Sequence, residues 1–364
     1  MFKYVLFPFA LLYRLITQVR NLLYNFSLLQ TTKVNTLVIS IGNLTVGGTG
    51  KTPHVEYVLK LLISLLPENQ QIAMLSRGYG RKTKNIILAN QIHNEKEISP
   101  LTIGDEPMQI WRRFGKQITV CVGGNRVKAA YQIKSHQPQN QVIVLDDAYQ
   151  HRAIHRDINI LLTDYYRPFY EDYLLPMGRL RESCNGAKRA DVVIVSKCPL
   201  EIREEDKKRI EQCIRRYTHP QTPIFFTSFA YASPKPIFDH NDNRTTIFTD
   251  SPNIILLTAI ANTKALIADI GKKYQIIKHF AFTDHYVYQK KDIEKLIDFY
   301  RQISPQVSYI LTTEKDSVKL IGFADMLKDL PIYFLPIEVC FLGGEEEFKK
   351  EISQNTFFKT HNIC

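Results

Sequence analysis

The sequence is poor in the features that settle a protein's class early. None of its six cysteines (Cys121, Cys184, Cys198, Cys213, Cys340 and Cys364) forms a Cys-x-x-Cys pair, which argues against a zinc site of the usual spacing. A chain of 364 residues can bury a core without disulfides. The cysteines therefore read as mostly buried thiols in a reducing compartment. No apolar run is long enough to span a bilayer. There is no internal repeat and no low-complexity tract. Hydrophobic residues at 45% and charged residues at 23% exclude a disordered or collagen-like chain.

The length suggests about two domains, on a prior of roughly 150 residues each. Charge is the first positive signal. Lys+Arg 47 against Asp+Glu 36 leaves +11. Such an excess implies an anionic partner: nucleic acid, nucleotide phosphates or an acidic membrane surface. Composition does not choose among them.

The N-terminus narrows the choice. Tyr4 to Tyr13 is almost purely apolar and ends at Arg14, about half the length needed to cross a bilayer. Only Lys3 is basic before it, while Arg14 and Arg20 follow, an order unlike a signal peptide. Beyond Pro8 the pattern is helical. Arg14, Gln18, Asn21 and Asn25 share one stripe; Leu12, Leu15, Ile16, Val19, Leu22, Leu23 and Phe26 cover the other face. Two readings stand: a helix packed on its own domain, or an amphipathic helix lying on a membrane. The second is preferred, because flanking cations suit anionic headgroups.

Short apolar β-rich runs then alternate with helical patterns. Strand candidates are Thr36–Ile41, Gln71–Ser76, Gln117–Val122, Gln141–Leu145, Asn159–Thr163 and Asp191–Ser196. Several are apolar on both faces, as in a buried parallel sheet. This is an α/β pattern. A second alternation begins near residue 226, with strands expected at Asn253–Thr258, near Gln275–Phe280 and at Val307–Thr312. The expected organisation is an N-terminal helix over residues 1–30, a P-loop NTPase-like parallel-sheet domain over 31–225, and a smaller α/β domain over 226–364.

The strongest chemical signal is Gly42-Asn-Leu-Thr-Val-Gly-Gly-Thr-Gly-Lys-Thr-Pro53. It ends as a P-loop ends, with a strand before it and a helix after it. Glycines let the backbone curl so that successive N–H groups meet phosphate oxygens. Gly47, Gly48, Thr49, Gly50, Lys51 and Thr52 are thus the candidate nucleotide-binding residues. Lys51 would reach the β- and γ-phosphates of ATP and Thr52 would ligate Mg²⁺. Pro53 suits the first helical turn. The strict pattern is missed once, with Thr45 at its first glycine position. Val142-Ile-Val-Leu-Asp-Asp147 is an apolar strand ending in acids, where a carboxylate would meet Mg²⁺ or its water.

Other candidates carry bland alternatives. Asp105, in Gly104-Asp-Glu-Pro107, could cap a helix. Arg179, Arg181 and Glu182 could be a solvated charge run. His285, in Asp284-His285, could be an ordinary histidine. Arg77, Arg81 and Arg126 could serve anions or surface pairs.

The ordered set of motifs resembles the tetraacyldisaccharide 4′-kinase family, the lipid A 4′-kinases of Gram-negative bacteria. The matching stretches are Gly42–Pro53, Ser76-Arg-Gly-Tyr-Gly80, Gly104-Asp-Glu-Pro107, Asp146-Asp-Ala-Tyr-Gln-His151, Leu175–Glu182, Phe282-Thr-Asp-His285 and Thr313-Glu-Lys-Asp316. The resemblance implies transfer of the ATP γ-phosphate to the 4′-hydroxyl of a tetraacyl disaccharide 1-phosphate. It also implies Mg²⁺ and a place at the cytoplasmic face of the inner membrane. It makes Asp105 the catalytic base, assisted by Asp284 and His285, and Lys51 the phosphate lysine. Thr52 and Asp147 become metal-site residues, with Glu182 a further contributor. The site is expected to close between the two domains, with His285 orienting Asp105. Three departures are visible: Ala148-Tyr149 where Gly-Phe is commoner, Tyr286 where a second histidine is frequent, and Asn125 before Arg126 where Asp is frequent.

Two other classes compete. A membrane-attached P-loop ATPase switch would need an early lysine in its loop, and Val46 occupies that place. A nucleic-acid binder would need a recognised motif or a basic block beside the charge, and neither is present. No nucleic acid is expected as a partner.

Overall fold

The computed structural model describes residues 5–66, 71–92, 94, 97–238, 252–260, 263–284 and 286–360. Among the described residues, fourteen strands form two sheets. The larger collects β1 (Leu37–Asn43), β2 (Ile72–Ser76), β3 (Ile87–Leu88), β4 (Thr119–Val122), β5 (Val142–Asp146), β6 (Ile158–Asp164), β7 (Val192–Ser196) and β8 (Ile224–Tyr231). The smaller contains β9 (Lys235–Pro236), β10 (Asn253–Thr258), β11 (Gln275–Ala281), β12 (Tyr309–Thr313) and β13 (Ile332–Leu335). The last strand, β14 (Ile337–Phe341), returns to the larger sheet.

The nine-stranded sheet has the order β14-β8-β7-β6-β1-β5-β2-β4-β3. The strands from β8 through β4 are parallel. The two edges, β14 and β3, are antiparallel. β1, β2 and β4 to β7 are buried along their whole length, because helices cover both faces. Alternate residues of β1 divide between those faces. Leu37, Ile39 and Ile41 meet Val55, Leu59 and Leu62 of the Lys51–Leu65 helix, while Val38 joins Ala129 and Ile133 of the Arg126–His136 helix. β1 lies centrally, with β5 on one side and β6 on the other. The crevice outside the carboxyl ends of such strands is where open α/β sheets bind ligands.

The five-stranded sheet has the order β11-β10-β12-β13-β9, parallel except for β9. Its membership differs from the division expected at residue 226. That boundary falls inside β8, and β14 pairs antiparallel with β8 over Ile337–Phe341. The helix Glu345–Thr360 follows, and its Phe348 and Ile352 are fully buried in the core beneath the larger sheet. Phe225, Phe341, Phe348 and Tyr57 pack as an aromatic cluster there. Apolar burial thus ties residues 337–352 to the larger sheet.

The N-terminal helix spans Phe7–Asn25 and buries only Ala10. Its polar stripe faces the protein. Asn21 donates to Glu182 (3.0 Å), and Arg152 donates to the Asn21 carbonyl (3.0 Å) and to Asn25 (2.8 Å). Tyr13 donates to the Arg181 carbonyl (2.9 Å) and Arg20 to the Gln150 carbonyl (2.8 Å). The apolar stripe points outward, with Phe9, Leu12, Leu15, Ile16, Val19 and Leu22 all exposed. A helix packed for solubility has the reverse arrangement. Among the described residues, no helix is long and apolar enough to cross a membrane.

Candidate active site

The loop between β1 and the Lys51–Leu65 helix curls through two left-handed glycines, Gly47 (φ +112°) and Gly50 (φ +81°). A Cβ at Gly50 would run into the Phe229 ring, so conformation and space both require glycine there. Asn43 donates to the Thr49 hydroxyl at 2.8 Å and braces the loop across its base. His54, one turn into the helix, donates from Nδ1 to the Gly50 carbonyl at 2.7 Å and accepts at Nε2 from Thr227 at 3.0 Å. Burial pushes its pKa down to about 4, so it stays neutral and serves the loop as a strut.

Lys51 Nζ lies 3.7 Å from Asp147 Oδ1. Arg181 holds the same carboxylate bidentately, at 2.8 and 3.1 Å. Burial raises the Asp147 pKa, but Lys51 and Arg181 outweigh it and the net shift is downward. Asp147 also takes a left-handed backbone, φ +48°. Its neighbour Asp146 behaves differently. Burial first, and the Asp147 charge second, push its pKa up to about 7. One oxygen accepts from Ser76 at 3.3 Å. The other, Oδ1, is buried without a hydrogen-bond partner among the described residues. Arg126 is buried and donates to the Gly123 carbonyl. Asn125 caps the helix that Arg126 opens, accepting from the Lys128 N–H at 3.0 Å. Tyr149 is fully buried and donates to the Gly186 carbonyl at 2.9 Å, which shows how the Ala148-Tyr149 variation packs.

Glu182 is buried and fully engaged. Arg189 (2.7 Å) and Gln150 (3.1 Å) bind one oxygen, and Asn21 binds the other at 3.0 Å. Gln150 also reaches Arg181 at 3.4 Å. Glu182 therefore stands one side chain behind Asp147 and anchors the N-terminal helix.

The second cluster spans the two sheets. Asp105 opens the helix Asp105–Phe114, whose first turn is acidic and whose last turn holds Arg112 and Arg113, a polarity that suits the helix dipole. Lys319 Nζ lies 3.8 Å from Asp105 and 3.2 Å from Asp316. Lys315 lies 3.6 Å from Glu106 and 3.4 Å from Asp284. Both lysines sit on the helix Glu314–Leu320, which follows β12. Asp316 is locked by Thr313 (2.7 Å) and the Ala259 N–H (2.9 Å). Deeper in the same junction, Arg113 pairs with Glu56 and, at 3.4 Å, with Glu314. Burial first, then Glu314, push the Glu56 pKa up to about 7. A cavity of about 1290 Å³ opens beside this cluster, lined by Tyr79, Leu101, Asp105, Trp111, Tyr288 and Lys319 among others.

Of the residues singled out in the sequence, Lys51 and Asp147 thus meet directly. Thr52 is half-buried in the first turn of the same helix. Asp105 and Asp284 are joined through lysines of one helix. His285 lies outside the described residues. Among the described residues, no group of three His, Cys, Asp or Glu is arranged to hold a metal. Arg181, read as a possible surface charge, is a direct partner of Asp147. Lys315 lay inside a recognised stretch without a role, and Lys319 was missed; the only signal was their four-residue spacing on one helix face.

Fold and site together define a mixed α/β protein whose charged residues gather at the carboxyl ends of a central parallel sheet. The family model for tetraacyldisaccharide-1-P 4′-kinase (LpxK) matches residues 2–356. The chain belongs to that family. It is 39% identical over 349 residues to the tetraacyldisaccharide 4′-kinase of Phocaeicola vulgatus, covering 94% of this chain and 92% of the relative. It is 36% identical over 353 residues to that of Bacteroides thetaiotaomicron, covering 94% and 90%. A crystal structure of LpxK from Aquifex aeolicus in complex with ATP superimposes with a TM-score of 0.73 at 28% identity, covering 98% of this chain and 100% of that one.

Proposed function

We propose that the chain is an ATP-dependent kinase that phosphorylates the 4′-hydroxyl of a tetraacyl disaccharide 1-phosphate in lipid A biosynthesis. The observation that carries this reading is the family match over residues 2–356. The geometry of the Gly47–Thr52 loop supports it.

Phosphoryl transfer asks a protein mainly for alignment and charge neutralisation. The loop N–H groups and the start of the Lys51 helix suit the phosphates of ATP. Lys51 supplies the cation for the transferred phosphate. Asp147 holds Lys51 and Arg181 in place through its ion pairs. Asp105 takes the proton from the sugar hydroxyl, with Asp284 and His285 in supporting roles.

The donor set fits Mg²⁺, which usually takes only one or two carboxylates beside waters and substrate phosphates. The orphaned Asp146 Oδ1 is the kind of buried oxygen that such an ion satisfies. Thr52 and Asp147 would hold the metal with it, and Glu182, held by Arg189, Gln150 and Asn21, stands behind them. When bound, Mg²⁺ supplies neutralisation of the β- and γ-phosphate charge.

The outward apolar face of the Phe7–Asn25 helix suits an interfacial position on a bilayer, at the cytoplasmic face of the inner membrane. The decisive experiment combines purified protein, ATP and Mg²⁺ with the acceptor lipid in mixed micelles. Acceptor-dependent phosphorylation is expected, and Lys51→Ala should lower it by about 10²–10³-fold. ATP hydrolysis that ignores the acceptor would overturn the reading.

A further inference from the structure

The phosphate loop is braced from the side away from Asp105, by residues with no place in the scheme above. β6 ends at Asp164 and β7 at Ser196, and the two are paired in register. Lys197 follows with φ +60°, a left-handed conformation that a side-chain-bearing residue adopts only at some cost. Its ammonium donates to the Gly48 carbonyl and, at 2.8 Å, to Asp164. Ser196 donates to the Thr49 carbonyl at 2.7 Å. Asp164 is buried and also accepts the Tyr166 N–H at 2.9 Å.

These contacts answer a specific need of the loop. Turning successive N–H groups toward an anion turns the carbonyls the other way, and those carbonyls need donors of their own. Lys197 and Ser196 supply them for consecutive residues. Lys197 also places a positive charge against the loop, while about a third of its side chain stays accessible (31%).

Sheet order gives the direction. The Asp105–Phe114 helix packs toward β4, with Ile110 and Phe114 beside Val120 and Val122. β5 and β2 separate β4 from β1, whereas β6 and β7 lie on the other side of β1. With the terminal phosphate facing Asp105, the side of the loop toward β6 and β7 is left for the rest of the nucleotide, and Lys197 lies on that side. We infer that Lys197, held by Asp164, is a positioning residue for the nucleotide: it keeps the loop curled and flanks the nucleoside end of ATP. This inference rests on the ATP-dependent reading above.

The test compares wild type with Lys197→Met, Lys197→Arg and Asp164→Asn. ATP and inorganic tripolyphosphate binding are measured by calorimetry, and KM for both substrates by steady-state kinetics. Losing a charge-assisted bond should weaken ATP binding about tenfold or more in Lys197→Met. KM for the lipid acceptor should hold, and kcat at saturating ATP should fall by a smaller factor than the ATP affinity. Lys197→Arg should recover part of the loss. The preference for ATP over tripolyphosphate should narrow in Lys197→Met, which mere bracing of the loop would not cause. Should Lys197→Met fold poorly, Asp164→Asn keeps the cation and removes its anchor, and its ATP affinity should fall by a smaller factor. Unchanged ATP affinity in a folded variant overturns the role of Lys197. A wild-type protein that binds no ATP overturns the kinase reading itself.

Discussion

The two halves of the site are built on different plans. On the loop side, Lys51, Asp147 and Arg181 come from segments flanking one parallel sheet, and they pair directly. On the other side, Asp105 and Glu106 belong to the larger sheet's covering helix, while their partners Lys319 and Lys315 follow β12 of the smaller sheet. The loop side is complete within the larger sheet and the segments that flank it. The Asp105 side exists only as far as two lobes are held in register. Nucleotide binding should therefore tolerate disturbance between the lobes, and transfer should not.

The sharpest test is Asp105→Ala. If Asp105 is the base proposed above, its loss should lower turnover by about 10²–10⁴-fold, with ATP affinity retained in direct binding measurements. Lys51→Ala should cost turnover about 10²–10³-fold, as for loss of one group that stabilises transition-state charge, and should also weaken ATP binding. The contrast between the two halves would collapse if both variants lost ATP affinity equally.

Next comes the junction itself. Arg113 serves two buried carboxylates, Glu56 and Glu314. Arg113→Met strands both and should destabilise the protein by about 3–5 kcal/mol. Glu314→Gln leaves the Arg113–Glu56 pair intact and should be far milder in chemical denaturation. Equal losses in the two variants would show that the arginine is not the shared pin.

The smallest effect is on pH dependence. Burial raises the Glu56 pKa from 4.5 to about 7. The stability this group allows is whole below pH 4.5 and is lost as pH climbs through about 7. Glu56→Gln should flatten the fall in melting temperature across that window and raise the melting temperature at pH 8. Asp146 titrates in the same window, so some slope should survive. A variant with the wild-type slope would remove Glu56 from the account.

The same contrast explains what the sequence could reveal. The Gly47–Thr52 loop and the acid pair at the end of β5 are local signals, each read from a contiguous stretch of chain. The buried parallel strands were legible for the same reason, since their apolar runs are short and bounded. The Arg113–Glu314 pair joins residues 201 positions apart, and no spacing rule reaches that far. The return of β14 to the larger sheet was hidden likewise, because it depends on which surface Phe348 and Ile352 find to cover. The N-terminal helix was half legible. Periodicity found its polar stripe, but only the partners Glu182 and Arg152 fix which way that stripe faces.

That helix is hydrogen-bonded through Tyr13 and Asn21 to Arg181 and Glu182, residues at the edge of the charged cluster. Its outward apolar face and the charged cluster are thus linked by direct hydrogen bonds. Seating the helix at an interface would fix the height and tilt of the site above the lipid plane. The acceptor would then be met by lateral diffusion, and its effective concentration would be a surface density rather than an amount per volume.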